Sequence, residues 1–154
     1  MSDQSKIDDL GKLVEGQRFA MLTTKAGDKL VSRPMTIQET ENGVLRFITQ
    51  ADNDVARESD GQQVNLAIVD GGTYISLSGV GHLENDVTKK QELWNRLNEA
   101  YAGEPEDPNN VILDIAVESG EYWDGGNPVA QVLNIAKTAI TGKAPQGEHG
   151  TVEL

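Results

Sequence analysis

Two tight turns lie close together in the first third of the chain and restrict how this segment folds. Residues Phe19 to Thr49 contain three short apolar runs, separated by Lys25-Ala26-Gly27-Asp28 and Glu41-Asn42-Gly43. Glycine and asparagine tolerate the positive φ values that hairpin turns require. The pattern therefore predicts three consecutive antiparallel strands, at about 17–24, 29–38 and 44–49.

An Arg-Pro pair lies inside the second of these strands. Proline cannot donate a ladder hydrogen bond, so Pro34 is expected on an edge strand or at a bulge. A cation just before such a break is well positioned to face a ligand. Arg33 is therefore the first candidate for function, and a surface ion pair is the alternative for this side chain.

Composition and charge exclude several classes of function. A chain of 154 residues suits a single domain with one core. Its 25 acidic and 13 basic residues give a net charge of −12, which disfavours binding to nucleic acids and to anionic membranes. There are no cysteines, no secretory signal is visible, and no apolar run is long enough to span a bilayer. A cytoplasmic protein is expected, and one arginine can still attract a small anionic ligand.

The rest of the chain alternates between strand and helix patterns. Further strands are predicted at about 64–69, 73–83 and 111–123, and helices at about 5–15, 51–60, 86–101 and 128–136. Residues 1–140 would form the domain, and 141–154 would be a tail without regular structure. Strands this short and regularly spaced favour closure into a small barrel. The expected fold class is mainly β (α+β).

Several segments, taken in order, resemble one known family. They are Phe19-Ala20-Met21-Leu22-Thr23-Thr24, Ser32-Arg33-Pro34-Met35, Phe47-Ile48-Thr49, Val64-Asn65-Leu66-Ala67, Ser76-Leu77-Ser78-Gly79, Leu93-Trp94 and Glu121-Tyr122-Trp123. The chain resembles the FMN-binding split-barrel group close to pyridoxamine 5′-phosphate oxidase, in its general stress protein 26 branch. The resemblance implies a six-stranded antiparallel split β-barrel with peripheral helices. It also implies a homodimer with two flavin sites at the interface.

The resemblance also implies where the cofactor binds. The flavin ring would lie across the strands that carry Arg33–Thr36 and Phe47–Thr49, and its phosphate would lie near the short helix that follows. The expected cofactor-binding residues are Arg33, Pro34, Met35, Thr36, Phe47, Ile48, Thr49, Asn53, Arg57, Ser78 and Trp123. Many relatives carry a lysine where this chain has Val55, so FMN is expected to bind more weakly here unless Arg57 turns inward to compensate.

The expected function is that of a flavin-binding general stress protein. A flavin-dependent oxidoreductase is one reading, although pyridoxamine 5′-phosphate oxidase activity itself is not expected. A split-barrel reductase that uses F420 or FAD, and a non-catalytic flavin carrier or sensor, are the alternatives. No catalytic acid or base can be named from the sequence. His82 and His149 are far apart in the chain, so no metal site is expected.

Overall fold

The computed structural model describes Val14 and residues 17–95, 98–99, 102–123 and 149–153, the last of these through their backbone alone. Eight strands form one sheet. The strands are β1 (Phe19–Ala26), β2 (Lys29–Thr36), β3 (Glu39–Glu41), β4 (Val44–Gln50), β5 (Gln63–Asp70), β6 (Thr73–Glu84), β7 (Asn110–Trp123) and β8 (His149–Glu153). Between the strands lie the helices α1 (Asp54–Ser59) and α2 (Val87–Leu93).

All the strand pairings in this sheet are antiparallel. The order is β2-β1-β5-β6-β7-β4-β3, and β8 pairs with β7. Between β2 and β3 the backbone N–H of Ile37 donates to the oxygen of Arg18 at 2.9 Å, and that of Gln38 donates to the oxygen of Arg46 at 2.8 Å. This short link brings the two ends of the sheet together. The six longer strands, of seven to fourteen residues, make the split barrel expected from the sequence.

The hairpins owe their geometry to glycine at positions of positive φ. The loop Gly27-Asp28 joins β1 to β2, with a φ of 65° at Gly27. The loop Asn42-Gly43 joins β3 to β4, with φ values of 50° and 79°. Positive φ at both central residues is the type I′ pattern, whose twist matches that of the strands it joins.

The barrel interior is filled by aliphatic side chains, one phenylalanine and one tyrosine, Tyr122. Its fully buried members include Leu22, Leu45, Phe47, Leu66 and Leu113. A smaller cluster lies on the other side of β4, where Ile48 and Ile112 pack against Leu93 of α2 and against Trp94. Strand β4 is therefore covered on both faces, so its side chains are largely withdrawn from solvent.

Helix α1 is held against β6 by a close backbone approach at Gly81. A Cβ atom at this position would lie 2.2 Å from the backbone oxygen of Ser59. Two backbone hydrogen bonds fix the exit of the helix, from Gly61 N–H to the Gly81 oxygen at 2.9 Å and from Gly81 N–H to the Gln62 oxygen at 3.1 Å. Ala56 of this helix is fully buried. These contacts fix the end of α1 against β6.

The predicted pairing of the first strands is wrong in one respect. The second turn joins β4 to the three-residue β3 rather than to β2. Strand β2 ends at Thr36, and the chain then crosses to the opposite end of the sheet. Pro34 lies on β2, an edge strand of the sheet, which confirms that part of the prediction.

Two further boundaries differ from those predicted. Helix α2 ends at Leu93, with Trp94 as its C-cap in an extended conformation, rather than near residue 101. The tail contains β8, which pairs with Ser119–Trp123 although no strand was predicted there. Apart from Val14, the predicted helix at 5–15 lies outside the described residues, and so does the predicted helix at 128–136. Within the described part of the chain, no helix has the length and apolarity needed to cross a bilayer.

Candidate functional site

Arg33 lies on β2 with its guanidinium in a cluster of polar groups beside α1. Its Nη1 donates to the hydroxyl of Thr24 at 2.6 Å and to the backbone oxygen of Leu22 at 3.3 Å. Its Nη2 lies 3.3 Å from Glu58 Oε1, and the Thr24 hydroxyl donates to the same oxygen at 2.7 Å. The Arg33 and Glu58 side chains are 20% and 19% exposed. The cluster is therefore within reach of solvent, and we call it the Arg33 cluster (Thr24, Arg33 and Glu58).

Thr49 and Asn53 form a second polar pair, at the start of α1. The side-chain oxygen of Asn53 caps the helix by accepting from the backbone N–H of Ala56 at 3.1 Å. Its Nδ2 donates to the buried hydroxyl of Thr49 at 3.0 Å. From Asn53 to Glu58 the helix rises about 7.5 Å. Arg33, which contacts Glu58, and the pair of Thr49 and Asn53 thus lie at opposite ends of α1.

Arg57 and Val55 occupy different sides of α1. Arg57 is directed to solvent, where its side chain is 61% exposed and paired with Asp54. Its Nη1 also donates to the backbone oxygen of Asp52 at 2.9 Å. Val55 is half-buried and packs against the barrel core. The inward orientation that would let Arg57 replace the missing lysine is therefore absent from this arrangement.

Three other predicted residues belong to apolar clusters. Phe47 is fully buried in the barrel core, and Met35 packs against the same core. Ile48 is buried in the smaller cluster beneath α2. In this arrangement the Phe47 side chain is closed to a ligand, which leaves its backbone as the part that a cofactor could approach.

The remaining predicted residues face the other side of the sheet from Arg33. Residues paired across antiparallel strands point to the same side. Arg33 pairs with the buried Leu22, whereas Pro34 pairs with the exposed Met21. The residues with this outward orientation are Pro34, Thr36, Ser78 and Trp123. A ligand that contacts both sets must pass around the β2 edge or take one set from another subunit.

The outward face also carries a row of exposed apolar side chains. Its members come from four neighbouring strands, and each is at least 40% exposed: Phe19, Met21, Val69, Tyr74 and Trp123. The strand pairings place them on one side of the sheet. Contiguous apolar surface of this kind marks binding surfaces in soluble proteins. We call these five residues the apolar face.

A second group of charged residues surrounds Arg46 on β4. Arg46 lies 3.0 Å from Glu39, 3.8 Å from Glu41 and 3.1 Å from Asp114, and the last contact lacks the angle of a hydrogen bond. Burial alone would raise the pKa of Glu39, but hydrogen bonds and charge from Lys89 and Arg46 outweigh it and lower the pKa.

Glu84 lies beside the same group of charges around Arg46, but its pKa is shifted in the opposite direction to that of Glu39. A hydrogen bond shared with Asp114, burial and the negative charge of Asp114 together raise the pKa of Glu84. The Arg46 group therefore holds more carboxylates than its cations can balance. Within the described residues, no set of three acidic or histidine side chains is arranged to hold a metal ion.

Thr24 and Glu58 were not among the residues predicted for the site. Thr24 could have been found from the two-residue Gly27-Asp28 loop, since that register puts Leu22 opposite Arg33 and Thr24 one step away on the same face. The sequence carried no comparable signal for Glu58. The rotation of a six-residue helix depends on its tertiary contacts, here the close approach of Ser59 to Gly81.

The antiparallel split barrel defines the fold class of the protein, and the family comparison agrees with it. Residues 5–146 match the model of the family described as pyridoxamine 5′-phosphate oxidase like. The chain belongs to this family.

Solved structures share the fold over most of the chain. A protein from Jannaschia sp. CCS1 described as a general stress protein 26 is 27% identical, with a TM-score of 0.70 and 100% of both chains covered. The general stress FMN/FAD binding protein of Xanthomonas citri is 25% identical, with a TM-score of 0.68 over 80% of this chain and 92% of that one. A structure described as an F420 reductase is 21% identical, with a TM-score of 0.57 over 71% and 94%. The comparison with curated proteins returned no match.

Proposed function

We propose that this protein binds FMN and that Arg33 and Thr24 receive the phosphate of the cofactor. The observation that carries the proposal is a half-buried guanidinium and a hydroxyl that converge on a single anionic oxygen. Arginine presents a planar set of donors that matches phosphate oxygens. Family membership supports a flavin as the ligand, and the Xanthomonas citri protein, at 25% identity, is described as binding FMN or FAD.

We propose further that the cofactor site is completed by a second copy of the chain. The outward orientation of Ser78 and Trp123, away from Arg33, supports this arrangement because a partner subunit can supply the outward set. The apolar face supports it as well, since dimer formation would remove this surface from water. The cofactor would then bind between two protomers.

The bound flavin would supply the redox chemistry, while the protein would bind and orient it. An oxidoreductase is the activity that fits this role, and a flavin carrier or sensor is the alternative. The cytoplasmic location stays a prediction. Reduction of the bound flavin by NADH or NADPH, followed by reoxidation with an acceptor, would support an enzyme. A flavin that neither donor reduces would support a carrier.

Titration of the protein with FMN, followed by flavin fluorescence, tests the proposed ligand. Arg33→Met is expected to weaken binding by roughly 10- to 150-fold, because one charge-assisted hydrogen bond contributes about 1.5–3 kcal/mol. Lys29→Met is the matched control, since it removes the same charge from an exposed position outside the cluster. FAD and F420 are titrated in parallel. Failure of FMN to bind, or equal affinity of the Arg33→Met and Lys29→Met variants for FMN, contradicts the proposal, and binding of FAD or F420 instead would favour the alternative cofactor.

Light scattering of the eluting protein during gel filtration tests the dimer. Met21→Glu places a charge in the apolar face and is expected to yield monomers. Val87→Glu is the control, because Val87 is also exposed but lies at the start of α2. A wild-type protein that elutes as a monomer with FMN bound contradicts the interface site.

A further inference from the structure

The Arg33 cluster has the hydrogen-bond pattern of an occupied anion site. One oxygen atom, Glu58 Oε1, receives a hydrogen bond from Thr24 at 2.7 Å and lies 3.3 Å from Arg33 Nη2. A phosphate oxygen in the same place would meet the same two donors. The carboxylate therefore stands where an anionic ligand of Arg33 would bind.

The position of α1 depends on contacts other than those of Glu58. The backbone hydrogen bonds between Gly81 and the residues after α1 fix its exit. Asp60 Oδ1 also accepts from the backbone N–H of Leu83 at 3.1 Å. Because these contacts do not involve Glu58, its carboxylate can leave Arg33 while the helix stays in place.

Charge decides whether a phosphate and Glu58 can share the cluster. Arg33 and Glu58 together have no net charge, and the structure places Val55 of α1 against the core rather than a cation beside them. A phosphate monoester carries close to two negative charges at neutral pH. Placing it beside Glu58 would bring like charges within a few ångströms at a half-buried position, which is unfavourable.

We propose that Glu58 is an internal competitor for the anion site on Arg33 and Thr24, and that its carboxylate must move away before a phosphate group binds. Where the phosphate group is that of FMN, this proposal rests on the proposed function. Glu58 then lowers the affinity of the site for phosphate-bearing ligands, since part of their binding free energy is spent on breaking the Arg33–Glu58 pair. Affinity is set by the exchange of one anion for another on the same arginine.

The test compares wild type, Glu58→Gln and Glu118→Gln with two probes. Glutamine keeps the shape of the side chain and removes its charge. Glu118→Gln makes the same charge change at an exposed position of β7, where Glu118 accepts a hydrogen bond from Gln63 at 3.0 Å. Inorganic phosphate is titrated by thermal shift, against chloride at equal ionic strength, and FMN is titrated by fluorescence.

Glu58→Gln is expected to bind both probes about five- to tenfold more tightly than wild type, with Glu118→Gln unchanged. Adding Arg33→Gln to Glu58→Gln should remove the gain, because the donor is then lost. If Glu58→Gln yields little folded protein, Glu58→Ala replaces it in the same comparison.

The outcomes separate this inference from the proposed function. If FMN binds wild type and neither probe binds Glu58→Gln more tightly, internal competition is refuted and flavin binding stands. If no cofactor binds any variant but phosphate binds Glu58→Gln more tightly, the flavin proposal fails and the anion exchange stands. If neither probe distinguishes the variants and no cofactor binds, both proposals fail.

Discussion

Arg33 and Arg46 are both half-buried arginines on strands of the same sheet, but their partners differ. Arg46 lies within 4 Å of carboxylates from Glu39, Glu41 and Asp114. Arg33 has one carboxylate partner in the described structure, Glu58 on a six-residue helix, and its other contacts are neutral oxygens.

The comparison separates a structural cation from an exchangeable one. Removing Arg46 would leave several partly buried acids unbalanced, which makes it necessary for stability. Arg33 can exchange one anion for another with little change in the rest of the fold. The proposed binding of FMN and the proposed competition by Glu58 both depend on this difference between the two arginines.

The largest expected effect is that of Arg46→Met on stability. The variant should lower the free energy of unfolding by about 3 kcal/mol, because it leaves the partly buried Asp114 without its cation and leaves Glu39 with Lys89 alone. Arg33→Met should cost only about 1 kcal/mol, since it leaves one carboxylate that can turn to solvent. Chemical denaturation measures both values, and equal losses would remove the distinction between the two arginines.

Gly81→Ala tests whether the position of α1 is held by its contact with Gly81 rather than by Glu58. The added methyl group would meet the Ser59 backbone oxygen at 2.2 Å, so we expect a loss of about 2 kcal/mol. Glu58→Gln should lose less than about 1 kcal/mol, because it removes one partly exposed ion pair. A larger loss for Glu58→Gln than for Gly81→Ala would show that the carboxylate holds the helix.

The smallest expected effect on stability comes from Glu84, one of the carboxylates that outnumber the cations around Arg46. The raised pKa of Glu84 means that its contribution to stability is present below pH 4.5 and is lost as the pH rises through the folded-state pKa. Glu84→Gln should therefore be more stable than wild type at pH 7, by about 0.5 kcal/mol.

The pH dependence of this variant supplies its own control. The advantage of Glu84→Gln should shrink as the pH falls below 4.5, because Glu84 then becomes protonated in both the folded and the unfolded state. Glu39 behaves oppositely, since its lowered pKa gives stability that is present above pH 4.5 and lost at lower pH. A pH-independent difference between wild type and Glu84→Gln would contradict the assigned cause.

Local patterns in the sequence predicted the hairpins but not how they assemble. The strands predicted at 64–69 and 73–83 correctly left the β5–β6 turn at Gly71-Gly72, and a two-residue loop fixes the register of the strands it joins. The Asn42-Gly43 turn fits a long or a short preceding strand equally well. Pairing of β4 with β7 decides the outcome, and that contact is distant in sequence.

The same limit applies to the site. Arg33 could be identified because proline marks its strand as an edge. Its partner Glu58 lies 25 residues away, and its approach depends on the contact between α1 and Gly81. Side-chain orientation across the sheet also requires the register, which is why Ser78 and Trp123 were grouped with Arg33 although they face the other side.

A crystal structure of the protein with FMN tests the central claim most directly. The account predicts a phosphate oxygen at about 3 Å from both the Arg33 guanidinium and the Thr24 hydroxyl, with the Glu58 carboxylate turned away and α1 unmoved. Bound FMN with the Arg33–Glu58 pair intact and the phosphate held elsewhere would contradict it.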